Sequence, residues 1–309
     1  MSRGKFSCPL TLTNRNGLPK LIAIKVHWGQ ISNLFPPHRY LYMRKPIGIF
    51  DSGIGGLTVL KEILNVMPGE DTIYLGDTAR VPYGTKSVET VTRYSFENAR
   101  FLLKFNIKLL VVACNTASAY CLPQLQQELP IPVVGVIGPG ARKAVEVTKT
   151  KRIGIIGTEG TIRSGAYFDA IKTIDPSVVV FPQPCPLFVP LAEEGWASNR
   201  IAHLTAQSYL QKMKKHCVDA LILGCTHYPL LKDVISEVMG ENVALIDSGQ
   251  ETAAEVARCL MNKNIMEIVS SGQSLRRFFV TDSPERFKRV GRKFMGTSLE
   301  DVELVNVGS

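Results

Sequence analysis

The 309-residue chain has no uninterrupted apolar run close to the ~18–20 residues that a membrane-spanning helix needs, which excludes a membrane-embedded protein. Its seven cysteines are scattered and include no Cys-x-x-Cys pair, which argues against a zinc ribbon and a thioredoxin-type motif. No secretory signal is present either, so a disulfide framework is not expected. We therefore expect a cytoplasmic protein with reduced thiols and no membrane partner.

Acidic residues are missing from the N-terminal part of the chain. Residues 1–45 contain eight Lys or Arg and no Asp or Glu, whereas the other 264 residues contain 28 basic and 27 acidic side chains. The net charge of +9 therefore belongs to a tail, and the nearly neutral body argues against nucleic acid as a partner. Residues 1–43 are interpreted as an extension that is disordered or mis-started. We favour a natural start at Met43, and a transit peptide remains the alternative.

The remaining chain has the composition of a globular protein, with a repeated rhythm of short apolar runs and amphipathic stretches. A helix is predicted over residues 87–105, where apolar residues recur at the helical period. Strands are predicted at residues 46–50, 72–75, 108–113, 132–136, 152–156, 178–181, 220–223 and 243–246. This alternation predicts parallel sheets covered by helices on both faces.

The rhythm also indicates a weak internal duplication. Residues 47–53 are similar to 153–159, and residues 109–116 are similar to 220–227. We therefore predict an α/β fold of two similar, doubly wound domains related by a pseudo-twofold axis, with the active site in the cleft between them. The expected boundaries are residues 44–138 with 248–309 for the first domain and 139–247 for the second.

Two cysteines follow equivalent strands of the two halves, at the sheet edge where ligands bind in open parallel sheets. These are Cys114, followed by Asn115 and Thr116, and Cys225, followed by Thr226 and His227. A lone cysteine in this position is more often a small buried hydrophobe, but its recurrence in both halves argues for a function. The free N–H groups at a helix N-terminus favour an anion, so we expect them to lower the pKa of each thiol.

Two thiols that face each other across a cleft suit the inversion of a stereocentre. One abstracts a proton from one face of a carbon atom and the other donates a proton to the opposite face. Each thiol needs a polar neighbour, and Asp51 and His227 are available. Asp51 is equally well explained as a cap for the glycine-rich segment that follows it.

Other interpretations of these segments stay open. Residues 51–56 are glycine-rich, as in loops that bind phosphate, but they lack the Lys-Ser/Thr and Gly-x-Gly-x-x-Gly patterns of such loops. A loop of this kind can instead bind a carboxylate at a helix N-terminus. Cys114, Cys225 and His227 offer only three zinc ligands. The loop at residues 76–84 points to the same end of the sheet, and its residues 82–84 form a turn that could contact substrate. Glu193 and Glu194 are either solvated or one of them reaches the cleft.

Five motifs, in order, resemble the glutamate racemases of the cofactor-independent aspartate/glutamate racemase family: residues 48–57, 76–84, 113–118, 224–229 and 280–285. The similarity extends from about residue 46 to residue 296. It implies interconversion of L- and D-glutamate by an isomerase without pyridoxal phosphate, metal or nucleotide. It further implies that D-glutamate is supplied for peptidoglycan synthesis, and thus for the cell wall and cell shape, and that the protein is a homodimer.

The resemblance also implies roles for individual residues. Cys114 would abstract the α-proton from D-glutamate and Cys225 from L-glutamate, with Asp51, His227 and Glu193 as assisting groups. The implied substrate contacts are Asp51, Ser52, Tyr83, Gly84, Asn115, Thr116, Thr226 and His227. Two alternatives remain: an aspartate racemase of the same family, and an amino-acid-binding protein that closes on its ligand without chemistry.

Overall fold

A computed structural model describes residues 10–13, 19–22, 44–267 and 274–308. The chain divides into two units, 1–44 and 45–309. In the first unit, Leu10–Thr13 (β1) pairs with Pro19–Ile22 (β2) in an antiparallel sheet. The prediction of a disordered or mis-started extension otherwise falls on residues outside the described ranges.

The second unit contains parallel strands and the helices that connect them. The strands are β3 (Ile47–Asp51), β4 (Thr72–Gly76), β5 (Leu109–Val112), β6 (Val133–Gly135), β7 (Arg152–Gly157), β8 (Val179–Pro184), β9 (Ala220–Gly224), β10 (Ala244–Asp247), β11 (Arg276–Val280) and β12 (Val302–Leu304). The helices are α1 (Leu57–Val66), α2 (Val88–Leu103), α3 (Asn115–Glu128), α4 (Ile137–Val147), α5 (Glu159–Arg163), α6 (Ala166–Ile174), α7 (Phe188–Glu194), α8 (Arg200–Lys215), α9 (Lys232–Met239), α10 (Ser248–Asn262) and α11 (Pro284–Met295).

Two separate sheets organise this unit. Six strands pair in the order β12-β11-β4-β3-β5-β6, and four pair in the order β10-β9-β7-β8; all these pairs are parallel. Strands β3, β4, β5 and β9 are buried along their whole length because helices cover both faces of each sheet. Along β3, Ile47 and Ile49 belong to one hydrophobic cluster and Phe50 to the other. The predicted α/β fold with parallel sheets is confirmed.

The two sheets share one strand order. Numbered from the first strand of each half, the neighbouring strands β4-β3-β5-β6 of the first sheet follow the order 2-1-3-4. The strands β8-β7-β9-β10 of the second sheet follow the same order. The segments that resemble each other in sequence therefore occupy matching places: β3 corresponds to β7 and β5 to β9. In such a sheet the crevice for ligands lies between the first and third strands, where the direction of winding reverses.

All eight predicted strands overlap observed ones, and the helix predicted at residues 87–105 is α2. Helix α2 begins after Ser87, whose side chain accepts a hydrogen bond from the Thr90 N–H group. The pattern missed β11 and β12, which extend the first sheet from β4. Strand β11 starts with two arginines and β12 is mostly exposed, so neither shows a continuous apolar run. No helix of the described residues is long and apolar enough to cross a membrane.

Candidate active site

The carboxyl ends of the central strands of both sheets open on a cavity of about 250 Å³. Its walls contain both cysteines singled out from the sequence, Cys114 after β5 and Cys225 after β9. The lining residues are Ser52, Gly53, Ile54, Val81, Pro82, Tyr83, Gly84, Cys114, Asn115, Thr116, Thr158, Val189, Pro190, Glu193, Cys225, Thr226 and His227. Seven of the eight substrate contacts implied by the resemblance are among them, and Asp51 is the exception.

Cys114 is a buried thiol at the N-cap of α3. Burial raises its pKa to about 12, and the nearby Asp51 charge adds to this effect. Hydrogen bonds from the Ala117 N–H group and the Ser52 side chain act in the opposite direction but are outweighed. The N–H group at the helix N-terminus therefore lowers the pKa of this thiol as expected, but removal from water outweighs it and the net shift is upward. Cys114 carries its proton at neutral pH.

Asp51 lies behind the cavity wall at the end of β3. Its Oδ2 accepts a hydrogen bond from the Gly53 N–H group at 2.8 Å, as a residue that caps the following turn would do. Its Oδ1 has no hydrogen-bond partner among the described residues, and the side chain is fully buried. Burial raises the pKa of Asp51, while the His227 charge and backbone N–H groups lower it less strongly. The result is a carboxyl group with increased proton affinity beside Cys114.

The Cys225 side of the cavity has a chain of polar contacts. Cys225 Sγ lies 3.8 Å from His227 Nδ1, and His227 Nε2 lies 3.1 Å from Glu193 Oε1. Burial lowers the pKa of His227, but the contacts with Cys225 and Glu193 outweigh it and raise the pKa to about 10. For Glu193 burial raises the pKa, and the cationic His227 and Arg286 outweigh that effect, so the pKa falls below its ordinary value. The imidazole is thus held as a cation between the Cys225 sulfur and the Glu193 carboxylate.

The glycine-rich segment at residues 51–56 serves close packing. A Cβ atom on Gly56 would lie 2.5 Å from the Asp51 Cβ, and one on Gly55 would lie 2.2 Å from Thr226 Oγ1. The Thr58 hydroxyl, in the first turn of α1, donates to the Thr226 carbonyl at 2.9 Å. These glycines therefore let the loop after β3 lie directly against the segment after β9.

The loop after β4 forms another part of the wall. The Tyr83 hydroxyl donates to the Asp77 carboxylate and accepts a hydrogen bond from Asn98 Nδ2 at 3.0 Å. The Thr281 hydroxyl also donates to Asp77, at 2.9 Å. Because its hydroxyl is held on both sides, Tyr83 is fixed, and it fixes the position of Gly84 beside it.

Sequence reasoning missed Thr158, which lines the cavity opposite Thr116. Their hydroxyl oxygens are 3.0 Å apart, and each also lies within 3.2 Å of the Thr161 hydroxyl. The internal duplication could have identified Thr158, because Thr158 follows β7 at the position where Ser52 follows β3. Within the described part of the chain, no group of three or more His, Cys, Asp or Glu side chains is placed to hold a metal ion.

Comparisons with known proteins place the chain in a family. Residues 47–256 match the family model of the Asp/Glu/Hydantoin racemases. The chain is 62% identical over 263 residues to the glutamate racemase of Geobacter metallireducens, covering 85% of this chain and 97% of that protein.

Solved structures agree. The crystal structure of glutamate racemase isoform RacE1 from Bacillus anthracis is similar with a TM-score of 0.81 and 42% identity, covering 85% of this chain and 97% of that one. The glutamate racemase from Francisella tularensis in complex with D-glutamate gives a TM-score of 0.80 and 38% identity, with coverage of 86% and 98%. This chain therefore belongs to the Asp/Glu/Hydantoin racemase family.

Proposed function

We propose that the protein is a glutamate racemase that moves a proton at Cα between two cysteines without a cofactor. The observation that carries this proposal is the pair Cys114 and Cys225, which follow matching strands of two like sheets and line one cavity. An enzyme that inverts a stereocentre needs a proton acceptor on one face and a donor on the other. One group from each sheet supplies that pair.

In the direction from L- to D-glutamate, Cys225 accepts the α-proton as a thiolate and becomes a thiol. The electron pair of the broken C–H bond stays on Cα until the Cys114 thiol gives its proton to the opposite face. The high pKa of Cys114 suits this donor role, because it keeps the proton on the sulfur until the carbanion forms. In the other direction Cys114 first gives its proton to the neighbouring Asp51, whose raised pKa suits it to receive one, and then accepts the α-proton as a thiolate. Cys225, which regains its proton from the His227 imidazolium 3.8 Å away, gives that proton to the opposite face of Cα.

The charge that develops near Cα is met by fixed dipoles. Asn115 and Thr116 form the first turn of α3, where free backbone N–H groups favour a carboxylate. His227 brings positive charge to the cavity wall. None of the described lining residues is Lys or Arg, so neutral donors and this imidazolium would hold the two carboxylates of glutamate. Such preorganised groups stabilise the transition state without reorganisation of solvent.

Glutamate is favoured over aspartate as the substrate. The relatives at 62% and 42% identity bear the name glutamate racemase, and the structure at 38% identity was determined with D-glutamate. The resemblance supports the wider role, namely D-glutamate for peptidoglycan synthesis, made in the cytoplasm by a homodimer. We also propose that residues 44–138 with 248–309, and residues 139–247, form two domains that close on the substrate.

Circular dichroism of the amino acid tests the substrate. Purified, reduced protein without added cofactor is incubated separately with L-glutamate, D-glutamate and L-aspartate. The proposal expects the signals of both glutamate enantiomers to decay to zero and that of L-aspartate to persist. Decay of the L-aspartate signal alone would establish an aspartate racemase, and persistence of all three signals would contradict a racemase of either kind.

A further inference from the structure

Helix α11 reaches the Cys225 side of the cavity with three side chains. The Arg286 Nη2 atom donates to Glu193 Oε2 at 2.7 Å, and Lys293 Nζ donates to the Glu193 carbonyl at 3.1 Å. The Phe294 ring packs edge-on against the His227 imidazole, with centroids 5.4 Å apart and planes at 88°. Arg286 and Lys293 are seven residues apart, which is two helical turns, so they share one face of the helix.

Glu193 needs this support because of its place in the chain. It lies in the last turn of the short helix α7, which ends at Gly195 in the left-handed conformation. Its side chain is 22% exposed, so water competes for the carboxylate. One oxygen faces His227 and the other faces Arg286, and the two contacts together select a single orientation of the carboxylate.

We propose that Arg286 is a positioning residue, which holds the Glu193 carboxylate against His227 and thereby keeps the imidazole oriented beside Cys225. The catalytic part of this inference rests on the proposed racemase function. Arg286 does not line the cavity that holds the thiols. It lines an adjoining cavity of about 140 Å³ and contacts the active site through Glu193.

Several titratable or charged groups face the His227–Glu193 pair from the elements around it. They are Asp51 at the end of β3, Cys225 after β9, and Arg286 and Lys293 on α11. Lys293 binds the backbone carbonyl of Glu193 and leaves its carboxylate free to rotate, so it cannot replace Arg286. Without Arg286, the carboxylate of Glu193 is free to turn to solvent, and burial then acts on an imidazolium that has lost its anion.

The first test is direct titration of His227, which does not depend on racemase activity. Nitrogen NMR of protein labelled at its five histidines follows the imidazole with pH, and a His227→Asn variant assigns the signal. Arg286→Ala is expected to lower the pKa of His227, and Arg286→Lys to restore most of it. Lys288→Ala is the matched control, because Lys288 lies on the same helix and, within the described part of the chain, forms its ion pair with Glu285 alone; this variant should match the wild type. An unchanged or raised pKa in Arg286→Ala would overturn the proposal.

The second test is kinetic. Arg286→Ala is expected to lower kcat about tenfold with little change in KM, because misplacement of a catalytic group affects the chemical step. Arg286→Lys should recover most of kcat, and a kcat unchanged in Arg286→Ala would contradict the catalytic role. Arg286 is half exposed, so the variant should fold; thermal melting checks this, and Arg286→Gln is the second variant. A wild type that does not racemise glutamate would refute the proposed function, while the titration would still decide the role of Arg286.

Discussion

Gly55 lies so close to His227 that a Cβ atom on its backbone would stand 2.4 Å from the imidazole Nδ1. Nδ1 is the atom that faces Cys225 Sγ. The loop after β3 of the first sheet thus directly limits where the imidazole after β9 of the second sheet can lie. The two halves of the active site are positioned by each other.

The first prediction is that Gly55→Ala disables the site. The added methyl group has to displace His227 or Thr226, and overpacking of this kind costs about 1–3 kcal/mol of stability. Because the displaced group belongs to the proposed active site, activity should fall at least tenfold. Gly308→Ala is the control, since among the described residues its Cβ would meet no atom closer than 3.8 Å. Activity is measured by circular dichroism of glutamate. Equal activity of both variants would show that the close approach of Gly55 to His227 and Thr226 does not constrain the site.

The second prediction concerns the thiols. Cys114→Ser and Cys225→Ser should each lower racemisation by about 10²–10⁴-fold in both directions, because each removes one of two proton-transfer groups. Their melting temperatures should stay near that of the wild type, since the substitution is almost isosteric. Cys217→Ser changes an exposed cysteine and should leave the rate unchanged. Near-wild-type turnover of either active-site variant would refute the two-thiol mechanism.

The third prediction is a pH dependence of stability. The pKa of His227 is raised from its ordinary 6.5 to about 10, so its protonation stabilises the fold fully below about pH 6.5. This contribution is lost as pH rises through 10. The free energy of unfolding of the wild type relative to His227→Asn should therefore fall between pH 7 and pH 10. Urea titrations at three pH values measure the difference, with the exposed His203→Asn as the control. A constant difference between wild type and His227→Asn would contradict the charged imidazole.

The fourth prediction concerns the hydroxyl group of Thr158. Thr158→Val removes its contacts with Thr116 and Thr161, worth about 0.5–1.5 kcal/mol for a hydrogen bond, and should raise KM for glutamate about two- to tenfold. Thr158→Ser keeps the hydroxyl and should behave as the wild type. Thr173→Val serves as the control because its hydroxyl is exposed. If KM for Thr158→Val equals that of the wild type, the cluster does not contribute to substrate binding.

The sequence predicted the elements that are continuous apolar runs, such as Ala220–Gly224, because burial on both faces leaves a strong local pattern. It also placed each cysteine at the carboxyl-terminal edge of its own sheet, since both duplicated segments have a cysteine at the same position. The raised pKa of Cys114 could not be predicted from the sequence, because the burial that causes it depends on neighbours from distant segments. Arg286 was missed for the same reason: its partner Glu193 lies 93 positions away, and nothing in α11 itself marks the contact.

Proton NMR in D₂O tests the cofactor-independent, two-thiol racemisation of glutamate most directly. L-glutamate and, separately, D-glutamate are incubated with purified, reduced protein and no added cofactor. A racemase with two thiol bases replaces the Cα proton by deuterium as each enantiomer is converted. The Cα–H signal should therefore disappear with both enantiomers, while the optical activity decays to zero. A folded, reduced sample that exchanges neither enantiomer would contradict it.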